Sequence, residues 1–272
     1  MPNDPIHLET DAPGLSGLAL GSDGSLWAIP EERRELLRID RETGAVTAYP
    51  IEGLPEGVEA EALSYRGNGE FLVGTETDGI DRPTDYLYVL DFDGSVARVR
   101  ESYECSYELW GLQSDRNRGL EGLCTVGDAG VIVAAEVTGS VRGRRYAPLA
   151  WRTENGEWSP YRVFLSSETG KLAGITCRAS PDGSAEVIAV ERHFGVTRIL
   201  GFELPPPHAG EPVSVRSEVL VNLDDWVRSL DQQPNFEGIA RLDDDRVALL
   251  VDNQYRGLRT GPSALWIVTL DP

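Results

Sequence analysis

Carboxylates recur at fixed intervals along this chain. Glu61 stands fifteen residues before Glu76, Glu121 fifteen before Glu136, and Glu237 fifteen before Asp252. Ser16 and Glu31 keep the spacing with an acid only at the second position, and Ala173 and Glu191 repeat it with three residues more. Eight of these ten positions are acidic, where 45 acids in 272 residues would place about two by chance. Such a gathering opposes itself: two carboxylates about 6 Å apart at an effective dielectric near 20 repel by roughly 3 kcal/mol. Raised proton affinity, arginine partners or a bound metal must offset that cost. A roomy rim of oxygen ligands suits Ca2+ better than Mg2+ or zinc. The candidate metal ligands are Glu31, Glu61, Glu76, Glu121, Glu237, Asp252 and Asn253. A carboxylate left off the metal, Glu136 or Glu191, is the candidate general base. Asp252 and Asn253 are consecutive, so they point to opposite faces of a strand that continues through them.

Cations lie near the same positions. Lys171, the chain's one lysine, precedes Ala173 by two and therefore shares its face. Arg118, Arg192 and Arg256 flank the acidic positions, and His193 follows Glu191 by two. These residues can hold an anionic substrate group, with the arginines suited to clamping phosphate, or they can neutralise carboxylates. No GxSxG elbow is present, and no His/Asp pair can be placed beside Ser16, which argues against a serine-hydrolase triad. The glycine-rich stretches GDAG, GNG and PDG are turns, and neither a P-loop nor GxGxxG occurs.

The elements that position these residues are visible as an internal repeat. One phrase occurs five times: GLSGLALGSDGSLWAIPE at 14–31, EAEALSYRGNGEFLVGTE at 59–76, GLEGLCTVGDAGVIVAAE at 119–136, KLAGITCRASPDGSAEVIAVE at 171–191 and NFEGIARLDDDRVALLVD at 235–252. Period-2 alternation around a Gly/Asp turn makes each phrase a β-hairpin. A third strand follows each hairpin (RELLRID, DYLYVLD, YAPLAWR, TRILGFEL, ALWIVTL), and a fourth follows the first four of these (AVTAYPI, SVARVRE, WSPYRVFL, VSVRSEVLV). Four antiparallel strands repeated in this way predict the blades of a propeller. The fifth unit lacks a fourth strand, and the orphan strand IHLET at the start of the sequence would supply it, hiding an edge. The expected architecture is all-β, a single domain over 1–272 forming a five-bladed β-propeller closed by the N-terminal strand. A sixth blade would require the segment 102–118 to be a degenerate one. A short helix is expected around Asp224–Leu230. In this arrangement the first and last residues of every phrase face each other at the hairpin's open end, and all five open ends surround one mouth of the channel.

Composition narrows the partners. Apolar residues form 40% of the chain and charged residues 26%, as in a soluble globular protein. Net charge is −20, so nucleic acid and anionic membrane are poor partners. No apolar run approaches the length of about 18 residues needed to span a bilayer, and the opening MPNDPIHLETD lacks the features of a signal peptide. As written the chain would remain cytoplasmic; a processed form would be exported. A monomer acting on a small molecule is expected. Cys105, Cys124 and Cys177 offer no CxxC and no zinc spacing. Cys124 and Cys177 read as small buried thiols within strands, and a Cys105–Cys124 bond is an open alternative.

Taken in order, GLSGL with DGSLWAIPEE, NRGLEGL with VIVAAE, VIAVER, and NFEGIARL with LLVDN resemble the phytase-like β-propeller family known as "esterase-like activity of phytase". The similarity runs from about Gly14 to Asn253. It implies an acidic, calcium-containing channel and hydrolysis of esters or phosphoesters, and it carries over by motif onto Glu121, Glu136, Glu191, Glu237, Asp252 and Asn253. The EGL glutamate is also similar to the calcium-ligand glutamate of the gluconolactonase and paraoxonase propellers. Ser16 and Ala173 depart from the acidic pattern, and family members are commonly exported. A non-catalytic propeller with a structural metal, serving as a ligand- or protein-binding scaffold, is the alternative from another functional class. A lactonase-like propeller would share the site and differ in substrate.

Overall fold

The computed structural model describes residues 2–77, 83–113, 118–255, 258–259 and 261–270. All five phrases form antiparallel hairpins: Leu15–Leu20 with Leu26–Pro30, Val58–Gly67 with Glu70–Thr77, Leu120–Thr125 with Val131–Ala135, Lys171–Ala179 with Ala185–His193, and Asn235–Arg241 with Arg246–Asp252. Several turns carry a local clasp in which an aspartate accepts from the serine two residues on, as Asp23 does from Ser25 and Asp182 from Ser184. The third strands are Glu35–Ile39, Thr84–Phe92, Arg144–Arg152, Val196–Leu204 and Ala264–Thr269.

The outer strands are less regular than the repeat suggests. Val46–Glu52, Ala97–Ser106 and Trp158–Phe164 pair as expected with the third strands of the first three units. VSVRSEVLV, expected as one strand, divides at Ser217, whose hydroxyl donates to the Phe164 carbonyl at 2.6 Å. Val213–Arg216 then runs parallel to Trp158–Phe164 in the third sheet, while Glu218–Asn222 completes the fourth. The first two sheets are also joined, through parallel pairing of Ile51 with Ala97 and Glu52 with Arg98. Within 102–118, residues up to Ser106 belong to an outer strand and Tyr107–Trp110 form a 3-10 turn, so no hairpin appears among the described residues of that segment. The orphan strand is shorter than IHLET. Ile6 and His7 pair with Leu265 and Ala264, and Leu8 N–H donates to the Ser263 carbonyl at 2.9 Å, so the strand does lie against the last sheet. The helix spans Asp224–Ser229. No helix among the described residues is long and apolar enough to cross a membrane.

Hydrophobic burial links consecutive sheets. Ile29 and Leu36 of the first pack with Phe71 and Val73 of the second, and Leu72 and Leu87 with Val133 and Ala135 of the third. Trp151 and Tyr161 pack with Leu200 and Leu204 of the fourth, and Val190 and Ile199 with Phe236 and Leu249 of the fifth. Leu250 and Leu265 return to Leu15 and Leu26 of the first. The first strands of neighbouring hairpins approach so closely that side chains there are restricted. A Cβ on Gly174 would overlap the Glu237 carbonyl oxygen, and one on Gly238 would lie 2.7 Å from Leu18 Cβ and 2.9 Å from the Ser16 carbonyl oxygen.

The cysteine expectation needs correction. Cys124 and Cys177 are not separate thiols and Cys105 does not pair with Cys124. Cys124 and Cys177 form a disulfide with Cα atoms 5.7 Å apart, joining the first strands of the third and fourth hairpins, while Cys105 is a buried free thiol on an outer strand. Sequence spacing concealed this because the two strands are neighbours only after the sheets have packed.

Two outcomes follow for stability. Alkylation in denaturant without reductant should label one cysteine per chain, and all three after reduction, measured by intact mass. Replacing Gly174 by Ala should lower unfolding free energy by about 1–3 kcal/mol, read from denaturant titration, because backbone cannot yield as a flexible side chain would.

Candidate acidic site

The carboxylates owe their convergence to a defect repeated in every hairpin. In each first strand the pairing skips one residue: Ser16, Glu61, Glu121, Ala173 and Glu237. These five are the opening residues of the fifteen- and eighteen-residue intervals. Each is a β-bulge, which leaves the extra residue out of the ladder and re-aims its side chain. The expected face-to-face pairing with the last residue of the phrase is therefore replaced by an offset, of two residues in the first, second, third and fifth hairpins and of one in the fourth. Leu15 lies opposite Pro30, Leu120 opposite Ala135, Leu172 opposite Glu191 and Asn235 opposite Asp252, while Glu76 lies opposite Glu59.

Glu31, Glu237 and Asp252 form the tightest group, each offering an oxygen within 4.8 Å of the others. Two neutral side chains tie the group together. Ser16 Oγ donates to Glu31 Oε1 at 2.9 Å and to Glu237 Oε2 at 3.4 Å. Asn235 Nδ2 donates to Glu237 Oε1 at 3.0 Å and to Asp252 Oδ2 at 2.8 Å. Ser16, which looked like a gap in the acidic pattern, thus bridges two acids. Asn235 was missed altogether, although its position two before Glu237 on one strand was the available signal.

Electrostatics extends the site. Burial, and next the Asp252 charge, push the Glu31 carboxyl up to about 8 despite the Ser16 bond. Glu61 lies well above the usual carboxylate range through burial and then the charges of Glu121, Glu31 and Glu76. Glu121 is raised by burial against the opposing pull of Lys171 and Arg192, and Asp252 is raised by burial against its bonds from Gln254 N–H and Asn235. Cations enter the same space: Lys171 Nζ contacts Glu136 Oε1, Arg192 Nη2 contacts Glu237 Oε1, and Arg118 Nε lies 3.9 Å from Glu136 Oε2. Burial, followed by the Arg192 charge, brings Lys171 down to about 8.

Two candidates sit elsewhere. Glu191 is fully buried, and its carboxylate accepts from Ser166 N–H at 3.0 Å, Ser166 Oγ at 2.5 Å, Ser167 N–H at 3.0 Å and Ser167 Oγ at 2.6 Å. That is the geometry of a turn anchor, with the lone pairs a base would use already engaged. Asn253 binds Gly14 N–H through Oδ1 (3.3 Å), and the Gly261 carbonyl (2.9 Å) and Ser263 Oγ (3.1 Å) through Nδ2. It fastens loops and does not join the acidic group, in keeping with its alternation from Asp252. His193 is exposed at the end of its strand, and Arg256 lies outside the described residues. A cavity of about 330 Å3 at the opposite ends of the first strands, lined by Leu18, Leu63, Ile175 and the disulfide, contains none of these groups.

An all-β fold built from repeated antiparallel hairpins belongs among propeller-like proteins, and structural comparison agrees. The aldose sugar dehydrogenase of Streptomyces coelicolor in its PQQ-bound form is similar at a TM-score of 0.54 and 12% identity, covering 100% of each chain. The major allergen Mala s 1 of Malassezia sympodialis is similar at 0.58 and 10% identity, covering 99% of this chain and 96% of that one. A luciferin-regenerating enzyme is similar at 0.55 and 11% identity, covering 100% and 97%. At such identities the likeness is one of fold. No curated protein sequence matches. The sequence matches the phytase-like family described as esterase-like activity of phytase over residues 10–255, and the chain belongs to that family.

The proton affinity of Glu31 sets a pH dependence. Above its ordinary value of 4.5 the unfolded chain releases a proton that the folded chain keeps until about 8. Folded protein therefore binds more protons in this window, and stability falls as pH rises. In chelator, the Tm should drop between pH 5 and pH 8, and Glu31→Gln should flatten that drop, as followed by calorimetry.

Proposed function

We propose that the chain is a five-bladed β-propeller hydrolase of esters or phosphoesters that uses a divalent cation, calcium, at its acidic channel mouth. The observation that carries this reading is the convergence of Glu31, Glu237 and Asp252 on one space. Five bulged hairpins, five hydrophobic clusters between consecutive sheets and the N-terminal strand against the last sheet support the blade count and closure. Family membership supports the reaction class.

The donor set fits a hard cation. Glu31, Glu237 and Asp252 offer carboxylate oxygens, and the Ser16 hydroxyl lies between two of them. These residues would hold calcium. When bound, it supplies a Lewis acid that polarises a carbonyl or phosphoryl oxygen and acidifies a water. The chain's own residues do the rest. Lys171, Arg118, Arg192 and His193 orient the oxyanion of the substrate. Glu136, gripped by Lys171 and Arg118, takes the proton of the attacking water as general base, the role Glu191 cannot fill from its serine turn. The proton taken up by Glu136 then passes to the departing oxygen.

The ion pairs Lys171–Glu136 and Arg192–Glu237 favour a second reading, a non-catalytic scaffold whose mouth is partly neutralised by its own cations. Turnover separates the two. With p-nitrophenyl acetate and p-nitrophenyl phosphate as substrates, hydrolysis should require calcium and cease in chelator. Glu237→Gln should weaken calcium binding by more than about tenfold, read from the calcium-dependent thermal shift. A calcium shift without turnover across an ester panel would establish the scaffold, and indifference to calcium would remove the cation.

A further inference from the structure

One side of the acidic mouth is basic. Lys171 and Arg192 lie opposite each other in the fourth hairpin, Lys171 and Arg118 both reach the Glu136 carboxylate, and His193 follows Arg192 at the strand's end. Arg145, which the sequence did not single out, is held in place by its Nε donating to the Gly170 carbonyl at 2.8 Å. A chain with 25 basic residues against 45 acidic ones brings four of them together: Lys171 and Arg118 share one carboxylate, Glu136, and Arg192 contacts Glu237, while Arg145 donates to a carbonyl.

The hairpin tip beside this cluster carries an unusual side chain. His193 pairs with Val196, leaving Phe194 and Gly195 as a two-residue turn. Gly195, at φ 75°, supplies the positive φ that such a turn requires. Nothing in the turn calls for an aromatic residue next to it, yet Phe194 is 90% exposed. Its ring stands edge-on to His193, with centroids 4.9 Å apart. The tip is also fastened, since Arg228 Nη1 of the helix Asp224–Ser229 donates to the Gly195 carbonyl at 2.8 Å. An apolar face held in water next to a cluster of cations is an arrangement suited to a ligand with two unlike ends.

We infer that Arg145 and Phe194 complete a composite subsite for a substrate bearing an oxyanion, phosphate or carboxylate, joined to an aromatic or bulky apolar arm. Arg145 binds the anion with Lys171, Arg118 and Arg192, and Phe194 determines specificity by covering the arm. This rests on the hydrolase reading only in sharing its mouth, so the test is binding, with turnover measured separately.

Methyl phosphate, phenyl phosphate and benzoate are titrated calorimetrically into the full chain, Phe194→Ala and Arg145→Gln. Phenyl phosphate should bind about fivefold or more tighter than methyl phosphate. Phe194→Ala should abolish that ratio without changing methyl phosphate affinity, and Arg145→Gln should weaken both phosphates alike. Benzoate binding with the same Phe194 dependence, in place of phenyl phosphate binding, would identify the anion as a carboxylate. Equal affinity for the methyl and phenyl compounds, or no effect of Phe194→Ala, would overturn the apolar arm. Absence of binding by all three would overturn the subsite. Loss of the subsite with p-nitrophenyl acetate turnover intact leaves the hydrolase standing; an intact subsite without turnover does the reverse.

Discussion

Close approach of the first strands of the five hairpins is the constraint from which the rest of the molecule follows. Where a Cβ on Gly174 would strike the Glu237 carbonyl and one on Gly238 would press on Leu18 and Ser16, the backbone itself is the contact surface. Packing that tight admits glycine or alanine at the position after each bulge: Gly17, Ala62, Gly122, Gly174 and Gly238. It also concentrates whatever the bulged residues carry. Three of the five are glutamates, and together with Glu31 and Asp252 they share a space from which water is largely withdrawn. Burial then turns a set of ordinary carboxylates into one with altered proton affinity, as at Glu31, Glu61, Glu121 and Asp252.

The mouth divides by charge. Glu31, Glu237 and Asp252 gather around Ser16 and Asn235, and Lys171, Arg192, Arg118 and Arg145 gather near Glu136 and His193. Neither half is neutral by itself, and the pairs Lys171–Glu136 and Arg192–Glu237 stitch them where they meet. A strongly acidic chain thus gathers several of its few cations beside its buried carboxylates, which the bulk net charge would not suggest.

Much of the fold was legible because the repeat carries its own punctuation. The alternation and the Gly/Asp-rich turns marked all five hairpins, and a third strand followed each. What escaped notice depended on contacts between units. The division of VSVRSEVLV at Ser217 is made by a carbonyl of the preceding sheet, and the Cys124–Cys177 bond by two strands far apart in sequence. At the site, residue type and interval marked Glu31, Glu237 and Asp252 among seven candidate ligands, but nothing in the phrase foretold the different place of Glu191, which closes its phrase as Glu31 and Asp252 close theirs. The difference is the Ser166–Ser167 turn, outside the phrase, which captures that carboxylate. The bulges were hidden for a simpler reason. An added residue leaves no mark in an alternating pattern when the residue beside it is glycine.

Pairing of Ile6 and His7 with Ala264 and Leu265 has a temporal side. Ribosomes deliver Ile6 and His7 before Ala264 and Leu265, so the partner strand emerges only after the four intervening sheets have been synthesised. During that wait the earlier sheets can assemble while this short stretch stays unclaimed, its backbone hydrogen-bonded to solvent. Docking of this strand must therefore wait for Ala264 and Leu265, and it joins residues very distant in sequence, the kind of contact that slows folding most.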